Sequence, residues 1–138
     1  GRLQRFHREQ REVVVDVGHN PQAARELAAW LRANPARGRN LAVYAALGDK
    51  DAAGVVRALD GVVEAWHFAG SRAAGARGLA VAELQQRLHG AVADGSGHAE
   101  VADALRAALA QAAPDGRVLV FGSFHAAAEA LRLLGGDA

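Results

Sequence analysis

Residues 13–21 read Val13-Val14-Val15-Asp16-Val17-Gly18-His19-Asn20-Pro21. A run of β-branched residues is typical of a buried parallel strand, and we predict such a strand over residues 13–17. Asn20 is a favoured N-cap, and Pro21 suits the first turn of a helix, which we predict over residues 21–33. The stretch therefore predicts a strand, a short polar loop and a helix, the unit from which parallel α/β sheets are built.

Strand-like and helix-like segments alternate along the rest of the chain. Apolar runs predict strands, and helical spacing of apolar residues predicts helices. The predicted strands are residues 41–47, 62–68, 91–93 and 117–121, and the predicted helices are residues 52–59, 80–88, 99–112 and 126–134. Residues 1–12 are charged and arginine-rich, and we expect an extended lead-in or edge segment there. The alternation favours a single α/β domain over residues 1–138, with a Rossmann-like, mostly parallel sheet and helices on both faces.

The composition narrows the class of protein. With 138 residues, of which 51% are hydrophobic, the chain can fill one ordinary core. The net charge of +1 gives no strong field for nucleic acid or an anionic membrane, so neither is expected as a partner. No apolar run approaches the roughly 18 to 20 residues that span a bilayer, and we expect a soluble, cytoplasmic monomer. Since the chain lacks methionine and begins at Gly1, we expect a domain of a longer protein.

Polar side chains follow three of the predicted strands. The carboxyl ends of parallel strands meet at one edge of a sheet, so residues distant in sequence can line one crevice there. These residues are Asp16, His19, Asn20, Asp49, Lys50, Asp51, Ser123 and His125. Gly122 would let the backbone approach a ligand, and the amides that begin the following helix favour an anion. We therefore predict one ligand-binding crevice at this edge.

Each polar set also has a purely structural interpretation. Asp16 and Asn20 can cap the helix that follows them, and Ser123 is better interpreted as the cap of the last helix than as a nucleophile. Residues 49–51 can form a solvated turn with an ion pair, which contributes little energy. The chain has no G-x-S-x-G elbow, which disfavours hydrolase chemistry. It also has no P-loop and no G-x-G-x-x-G motif, so it supplies no phosphate-cradling loop of its own.

A metal site in this chain is not expected. Cysteine is absent, which excludes disulfides, thiolate zinc sites and cysteine nucleophiles. His19 and His125 are a candidate pair of ligands, but no third ligand is spaced to join them. The remaining histidines are scattered along the chain and are expected to be structural or exposed: His7, His67, His89 and His98.

Several short motifs of the chain resemble those of one known family. They are Gly1-Arg2-Leu3-Gln4, Asp16-Val17-Gly18-His19-Asn20-Pro21, Gly48-Asp49-Lys50-Asp51, Arg77-Gly78 and Gly122-Ser123-Phe124-His125. Together they resemble the C-terminal domain of folylpolyglutamate synthase, in the bacterial form that is also dihydrofolate synthase, a family of the Mur ligase superfamily. The resemblance covers nearly the whole chain, with the motifs in the same order and spacing.

The resemblance implies an ATP-dependent ligase that joins a carboxylate to an amine. ATP phosphorylates the carboxylate of dihydropteroate or folate to an acyl phosphate, and the amine of L-glutamate then displaces phosphate. In this family the P-loop, the Mg²⁺ ligands and most of the pterin site lie in an N-terminal ATPase domain. Residues 1–12 would be the lead-in from that domain, which is the implied partner, and the chain alone would be inactive. The implied cofactors are ATP and Mg²⁺.

The resemblance also implies roles for individual residues. Those implied in glutamate binding are His19, Ser123 and Lys50, and those in ATP binding are Asp16, at the ribose, and Asn20, which orders the loop. Further residues of the site loops are Asp49, Arg77, Phe124 and His125. A carboxylate can accept two ribose hydroxyl hydrogen bonds, and an imidazole or hydroxyl can donate to a carboxylate. The chain departs from the family pattern at Gly18, where alanine is commoner and glycine adds flexibility, and around Ala76, where proline often precedes the arginine.

Two other functions stay open at this point. The chain can belong to another Mur-type ligase, such as one that builds peptidoglycan or cyanophycin. It can also be a stand-alone module that binds a small anion or a nucleotide. The first differs from the folate ligase in its acceptor, and the second differs in binding its ligand tightly without another domain.

Overall fold

The four inner strands of the sheet follow apolar runs of the sequence. The computed structural model describes residues 3–76, 78–91 and 95–135. The strands are β1 Gln4–Arg8, β2 Arg11–Val15, β3 Asn40–Tyr44, β4 Ala65–Ala69, β5 Gly95–His98 and β6 Arg117–Phe121. The helices are α1 Pro21–Ala33, α2 Ala52–Ala58, α3 Val81–Arg87, α4 Val101–Gln111 and α5 Phe124–Gly135, with a 3₁₀ turn at Arg72–Ala74. Across these ranges, no helix has the length and apolar character needed to cross a bilayer.

The sheet has the strand order β1-β2-β6-β3-β4-β5. β1 and β2 are antiparallel, whereas the neighbours from β2 to β5 are parallel. The predicted Rossmann-like, mostly parallel sheet is therefore confirmed. The last strand, β6, lies between β2 and β3, so the loops that follow these three strands leave the same edge of the sheet side by side.

Apolar side chains cover both faces of the sheet. One core contains Val14 of β2, Leu27 of α1 and residues of α2 and α3. The other contains Val15 of β2, Leu105 of α4 and residues of α5. The helix after β2 therefore covers one face, whereas the helix after β6 covers the other. In parallel sheets a crevice opens between two adjacent strands when the helices that follow them lie on opposite faces of the sheet. Here these strands are β2 and β6.

Edge strands close the sheet on both sides. Residues 1–12 were predicted to be an extended lead-in or edge segment, and within them β1 is an edge strand that pairs with β2 in the antiparallel direction. A short strand was predicted at residues 91–93, of which 92 and 93 lie outside the described residues; the structure has a strand, β5, at Gly95–His98. β5 has no apolar pattern because it is an exposed edge strand, and a Cβ at Gly95 would lie 2.2 Å from the Phe68 ring. Glycine there therefore lets β5 approach β4.

Tyr44 carries a hydroxyl into the first core. The residue is fully buried, and its ring packs 5.1 Å from that of Phe121, measured between centroids. Within the described ranges, the Tyr44 hydroxyl is the buried side-chain polar group that has no hydrogen-bond partner. Burial raises the pKa of this hydroxyl well above its ordinary value, and the Asp51 carboxylate adds to the shift. The hydroxyl therefore stays protonated and its desolvation is uncompensated.

We expect Tyr44→Phe to stabilise the fold by about 1 kcal/mol, because it removes a buried hydroxyl that has no partner. Ser71→Ala is the matched control, since its buried hydroxyl donates to Ala46 O at 2.9 Å and accepts from Leu79 N at 2.9 Å. The free energy of unfolding of Ser71→Ala should be about 1–3 kcal/mol lower than that of the wild type. Urea unfolding of the three chains measures both changes, and a destabilised Tyr44→Phe would contradict this account.

Candidate functional site

Backbone hydrogen bonds join the three polar loops through the central strand. Gly122 N, just after β6, donates to Gly18 O in the loop after β2 at 3.0 Å. On the other side, Ala45 N, just after β3, donates to Phe121 O at 3.3 Å. Because β6 lies between β2 and β3, these bonds fix the relative positions of all three loops.

The loops surround an open hollow of about 260 Å³. Its lining residues are His19, Leu47, Lys50, Ala74, Ser123, Phe124 and His125. The sequence placed His19, Lys50 and Ser123 after three different strands and predicted that those strand ends meet. That meeting is confirmed, and the roles of the residues in ligand binding stay predictions.

Asp16 lies apart from this hollow. It lines a second hollow of about 190 Å³ whose other lining residues are Leu3, Ala23, Glu26, Leu27 and Trp30. Side chains alternate along a strand, so Asp16 shares the face of Val14, which is the face covered by α1. Its Oδ2 accepts a hydrogen bond from Gly18 N at 3.2 Å. The prediction of a single crevice is therefore wrong for Asp16, and two hollows share the loop after β2.

Other residues of the predicted site lie outside the lining. Asn20 Oδ1 accepts a hydrogen bond from Ala23 N at 2.8 Å, so its predicted role as the N-cap of α1 is confirmed. Asp51 caps α2 in the same way. Asp49 is exposed on the turn before α2. Arg77 lies outside the described residues.

Ser123 is buried, and its hydroxyl is already hydrogen-bonded twice. Oγ accepts from Ala126 N at 3.0 Å and donates to Ala45 O at 3.2 Å. The interpretation of Ser123 as the cap of the last helix is therefore confirmed. A hydroxyl has a single proton, so Ser123 can offer a ligand only an acceptor while the bond to Ala45 persists.

His19 is held by the backbone of its own loop. Its Nδ1 lies 3.3 Å from Val17 O, and because a carbonyl can only accept, Nδ1 is the donor. In the neutral ring, Nε2 then keeps a lone pair and acts as an acceptor. The His19 ring also lies beside that of Phe124, with centroids 6.4 Å apart and planes tilted by 42°. This contact orients the imidazole at the edge of the hollow.

Two features give the hollow positive character. Lys50, which lines the hollow from the loop after β3, is half-buried. The amino terminus of α5, at Phe124, adds the positive end of a helix dipole. His125 Nε2 lies 4.0 Å from Glu129 Oε1, which also pairs with Arg132 Nη2 at 2.9 Å. The lining therefore combines the Lys50 side chain with acceptor groups.

Gly18 leaves little space for a side chain. A Cβ there would lie 2.7 Å from Asp16 Oδ2 and 2.9 Å from the Ala23 Cβ. The sequence interpretation assigned flexibility to this glycine. The structure adds that its small size lets the Asp16 carboxylate fold back over the loop, and alanine would require that carboxylate to move.

Two histidines that the sequence left scattered are in contact. His67 Nε2 donates to Gln111 Oε1 at 2.6 Å, which leaves Nδ1 to accept from His98 Nε2 at 3.0 Å. Burial lowers the pKa of His98 and the neighbouring His67 lowers it further, while Asp103 opposes this. The pair lies on adjacent strands, β4 and β5, and only knowledge of that pairing would have identified it.

Metal-ligating side chains are not grouped in this part of the molecule. Among residues 3–76, 78–91 and 95–135, no three His, Asp or Glu side chains come together as candidate ligands for one ion.

The fold and the hollow define the class of protein. The domain is a doubly wound α/β unit whose parallel strands end at a hollow lined by a lysine, two histidines and the first residue of a helix. The family described as Mur ligase, glutamate ligase domain matches residues 1–124, and the chain belongs to that family.

Curated relatives agree with this family. The chain is 39% identical over 122 residues to the dihydrofolate synthase/folylpolyglutamate synthase of Escherichia coli (strain K12), a match that spans 88% of this chain and 28% of that protein. The protein of the same name from Haemophilus influenzae is 39% identical over 121 residues, spanning 85% of this chain and 27% of that protein. The chain therefore spans less than a third of the length of these relatives.

Solved structures show the same fold. E. coli FolC in complex with DHPP and ADP has a TM-score of 0.83 and 37% identity, over 95% of this chain and 30% of that chain. A bifunctional folylpolyglutamate synthase/dihydrofolate synthase with Mn, AMPPNP and L-glutamate bound has a TM-score of 0.83 and 33% identity, over 96% of this chain and 30% of that chain. The resemblance that the motifs indicated is thus confirmed.

Proposed function

We propose that this chain is the C-terminal domain of an ATP-dependent ligase that adds L-glutamate to dihydropteroate or folate through an acyl phosphate. The observation that carries the proposal is the hollow at the ends of β2, β3 and β6, which is lined by acceptor groups and by Lys50. The family and the relatives supply the reaction class, since both curated relatives are dihydrofolate synthase/folylpolyglutamate synthases.

The hydrogen-bonding groups of the hollow suit an amino acid bound in one direction. His19 Nε2 and Ser123 Oγ can both accept, so they suit the amino group of glutamate. Lys50, in the loop after β3, suits a carboxylate. The chemistry therefore points the glutamate amine toward the loops after β2 and β6, with a carboxylate toward the loop after β3.

The second hollow suits the nucleotide. Asp16 Oδ2 accepts from Gly18 N, which leaves Oδ1 for the ribose hydroxyls that a carboxylate binds well. Leu27 and Trp30 give this hollow an apolar wall. Bound ATP would supply the phosphoryl group that activates the acceptor carboxylate. We assign the Mg²⁺ ligands to an N-terminal ATPase domain.

The remaining parts of the proposal concern the rest of the protein. Residues 1–12 lead in from the N-terminal ATPase domain, which closes against the two hollows. We propose that the complete ligase is a cytoplasmic monomer, and that this chain is inactive alone. The whole of residues 1–138 is one domain in this proposal.

The reaction is tested by ADP release in the full-length protein that contains this chain. We expect release to require glutamate together with dihydropteroate or a folate, and not to occur with UDP-muramyl acceptors. Ligation by the isolated chain would contradict the proposal, and a preference for UDP-muramyl acceptors would favour another Mur-type ligase. Nanomolar to micromolar nucleotide binding by the isolated chain would favour a stand-alone module.

We expect His19→Ala in the full-length protein to raise the glutamate KM about tenfold, because one hydrogen bond to the amine is lost. The KM for ATP should change less than about twofold, since Asp16 lies in the other hollow. His89→Ala is the matched control, because His89 is exposed and outside both hollows. An unchanged glutamate KM in His19→Ala would exclude this role for His19.

A further inference from the structure

Phe124 is exposed at the rim of the glutamate hollow. It has 69% of its surface in contact with solvent, and it is the exposed large hydrophobic residue of the described ranges. Single exposed apolar residues are common on protein surfaces, but Phe124 stands at the rim of the proposed glutamate hollow, where a ligand that covers its ring would gain apolar burial.

Phe124 is placed by the start of the last helix. Phe124 is the first residue of α5 and follows Ser123, whose hydroxyl is bonded to Ala126 N and Ala45 O. The ring lies beside that of His19 at 6.4 Å between centroids. Phe124 and His19 therefore form an aromatic ledge that is held by the same groups that shape the hollow.

The reaction itself restricts what can approach this ledge. The glutamate amine must come within about 3–3.5 Å of the activated carbonyl carbon. If glutamate occupies the hollow, the carbonyl of the acceptor must lie at its mouth, where Phe124 stands. In dihydropteroate this carbonyl is bonded directly to a benzene ring. In a folate it ends a flexible glutamyl side chain, and the benzene ring is several bonds away.

We infer that Phe124 contacts the benzoyl ring of a dihydropteroate-type acceptor and favours it over an acceptor that reacts through a glutamyl tail. This inference rests on the proposed function. Two aromatic rings in contact gain more than their buried area alone provides, and a flat ring attached to the reacting carbonyl meets the ledge without bending. A glutamyl tail presents an aliphatic chain at the same point and gains less from it.

The test uses the full-length protein with dihydropteroate and with a monoglutamyl folate as alternative acceptors. We expect Phe124→Ala to raise the KM for dihydropteroate about tenfold, which corresponds to one aromatic contact. The KM for the folate acceptor and the KM for glutamate should each change less than about twofold. Phe124→Tyr, which keeps the ring, is the matched control and should retain the KM for dihydropteroate within about twofold.

Each other outcome has a distinct meaning. An equal increase in KM for both acceptors, or no increase for either, would overturn the inference and leave the proposed function standing. A raised glutamate KM with unchanged acceptor KM would assign Phe124 to the support of His19 instead, and would also overturn it. If Phe124→Tyr raised the KM for dihydropteroate as much as Phe124→Ala, the aromatic ring would not be the group that binds the acceptor, and the inference would be overturned. A wild-type protein that ligates neither acceptor would overturn the proposed function and the inference together.

Discussion

Gly122→Ala is expected to destabilise the chain by about 3 kcal/mol or more, because strain and steric overlap add at this position. Gly122 has φ of +116°, a conformation that L side chains rarely adopt. A Cβ there would lie 2.5 Å from Ala45 O and 2.7 Å from the Tyr44 ring. Both contacts belong to β3 and its loop, so the substitution would force the end of β6 away from β3.

Gly61→Ala separates the two causes. Gly61 also has positive φ, of +89°, but a Cβ there would meet nothing within 4 Å. It should therefore cost only the backbone strain, about 1 kcal/mol. Urea unfolding of both variants gives the comparison, and equal losses would show that the contacts around Gly122 have no effect. In the full-length protein, we also expect Gly122→Ala to raise the glutamate KM, since Ser123 and Ala45 would no longer meet.

Glu12→Ala is expected to lower the free energy of unfolding by about 3 kcal/mol, because it leaves the buried guanidinium of Arg117 without its carboxylate partner. Arg117 is buried, with its Nε 2.7 Å from Glu12 Oε1. It also donates hydrogen bonds to Asn34 O at 2.6 Å and Asn40 Oδ1 at 3.5 Å, and its guanidinium lies 5.1 Å from the centroid of the Trp30 ring. These are neutral groups and cannot replace the charge of Glu12.

The pH dependence of this pair follows from the pKa of Glu12. Burial raises this pKa, but hydrogen bonds and charge from Arg117 and Arg5 outweigh burial and leave it below its ordinary value of 4.5. A lowered carboxyl pKa contributes stability that is complete above the unfolded value and is lost as pH falls through the folded value. The stability difference between wild type and Glu12→Ala should thus be constant from about pH 6 to 8 and shrink below about pH 4.5.

Glu64→Ala is the matched control for this prediction. Glu64 pairs with Arg39 at 2.9 Å, and both side chains are about half exposed, at 46% and 57%. An exposed pair contributes about 1 kcal/mol or less. Urea unfolding across the pH range measures both variants, and a loss in Glu64→Ala as large as that in Glu12→Ala would refute the argument from burial.

The sequence predicted the parallel strands well because burial on both faces leaves continuous apolar runs. It did not locate β5, since Gly95–His98 is an exposed edge strand with no apolar signal. It described β1 only as an extended lead-in or edge segment, because Gln4–Arg8 has one large apolar residue, Phe6. Edge strands are defined by the neighbour they pair with, and a local pattern does not contain that neighbour.

The sequence predicted part of the candidate site. Polar residues after apolar runs placed His19, Lys50 and Ser123 at one edge of the sheet, and the structure brings them together. The order of the strands, with β6 between β2 and β3, depends on packing across the whole domain and has no local sequence signal. The separation of Asp16 into another hollow, and the use of the Ser123 proton by Ala45 O, likewise depend on contacts between distant segments.

The bonds that join the loops also bear on the entropy of ligand binding. Gly122 N and the Ser123 hydroxyl hold the loops after β2, β6 and β3 in place through bonds within the chain itself. Few backbone torsions are then left to be ordered when an amino acid enters the hollow, so the conformational entropy lost on binding is small. In the ligase proposed above, the movement that brings amine and acceptor together is therefore expected to be a rotation of the whole domain, with its loops carried along unchanged.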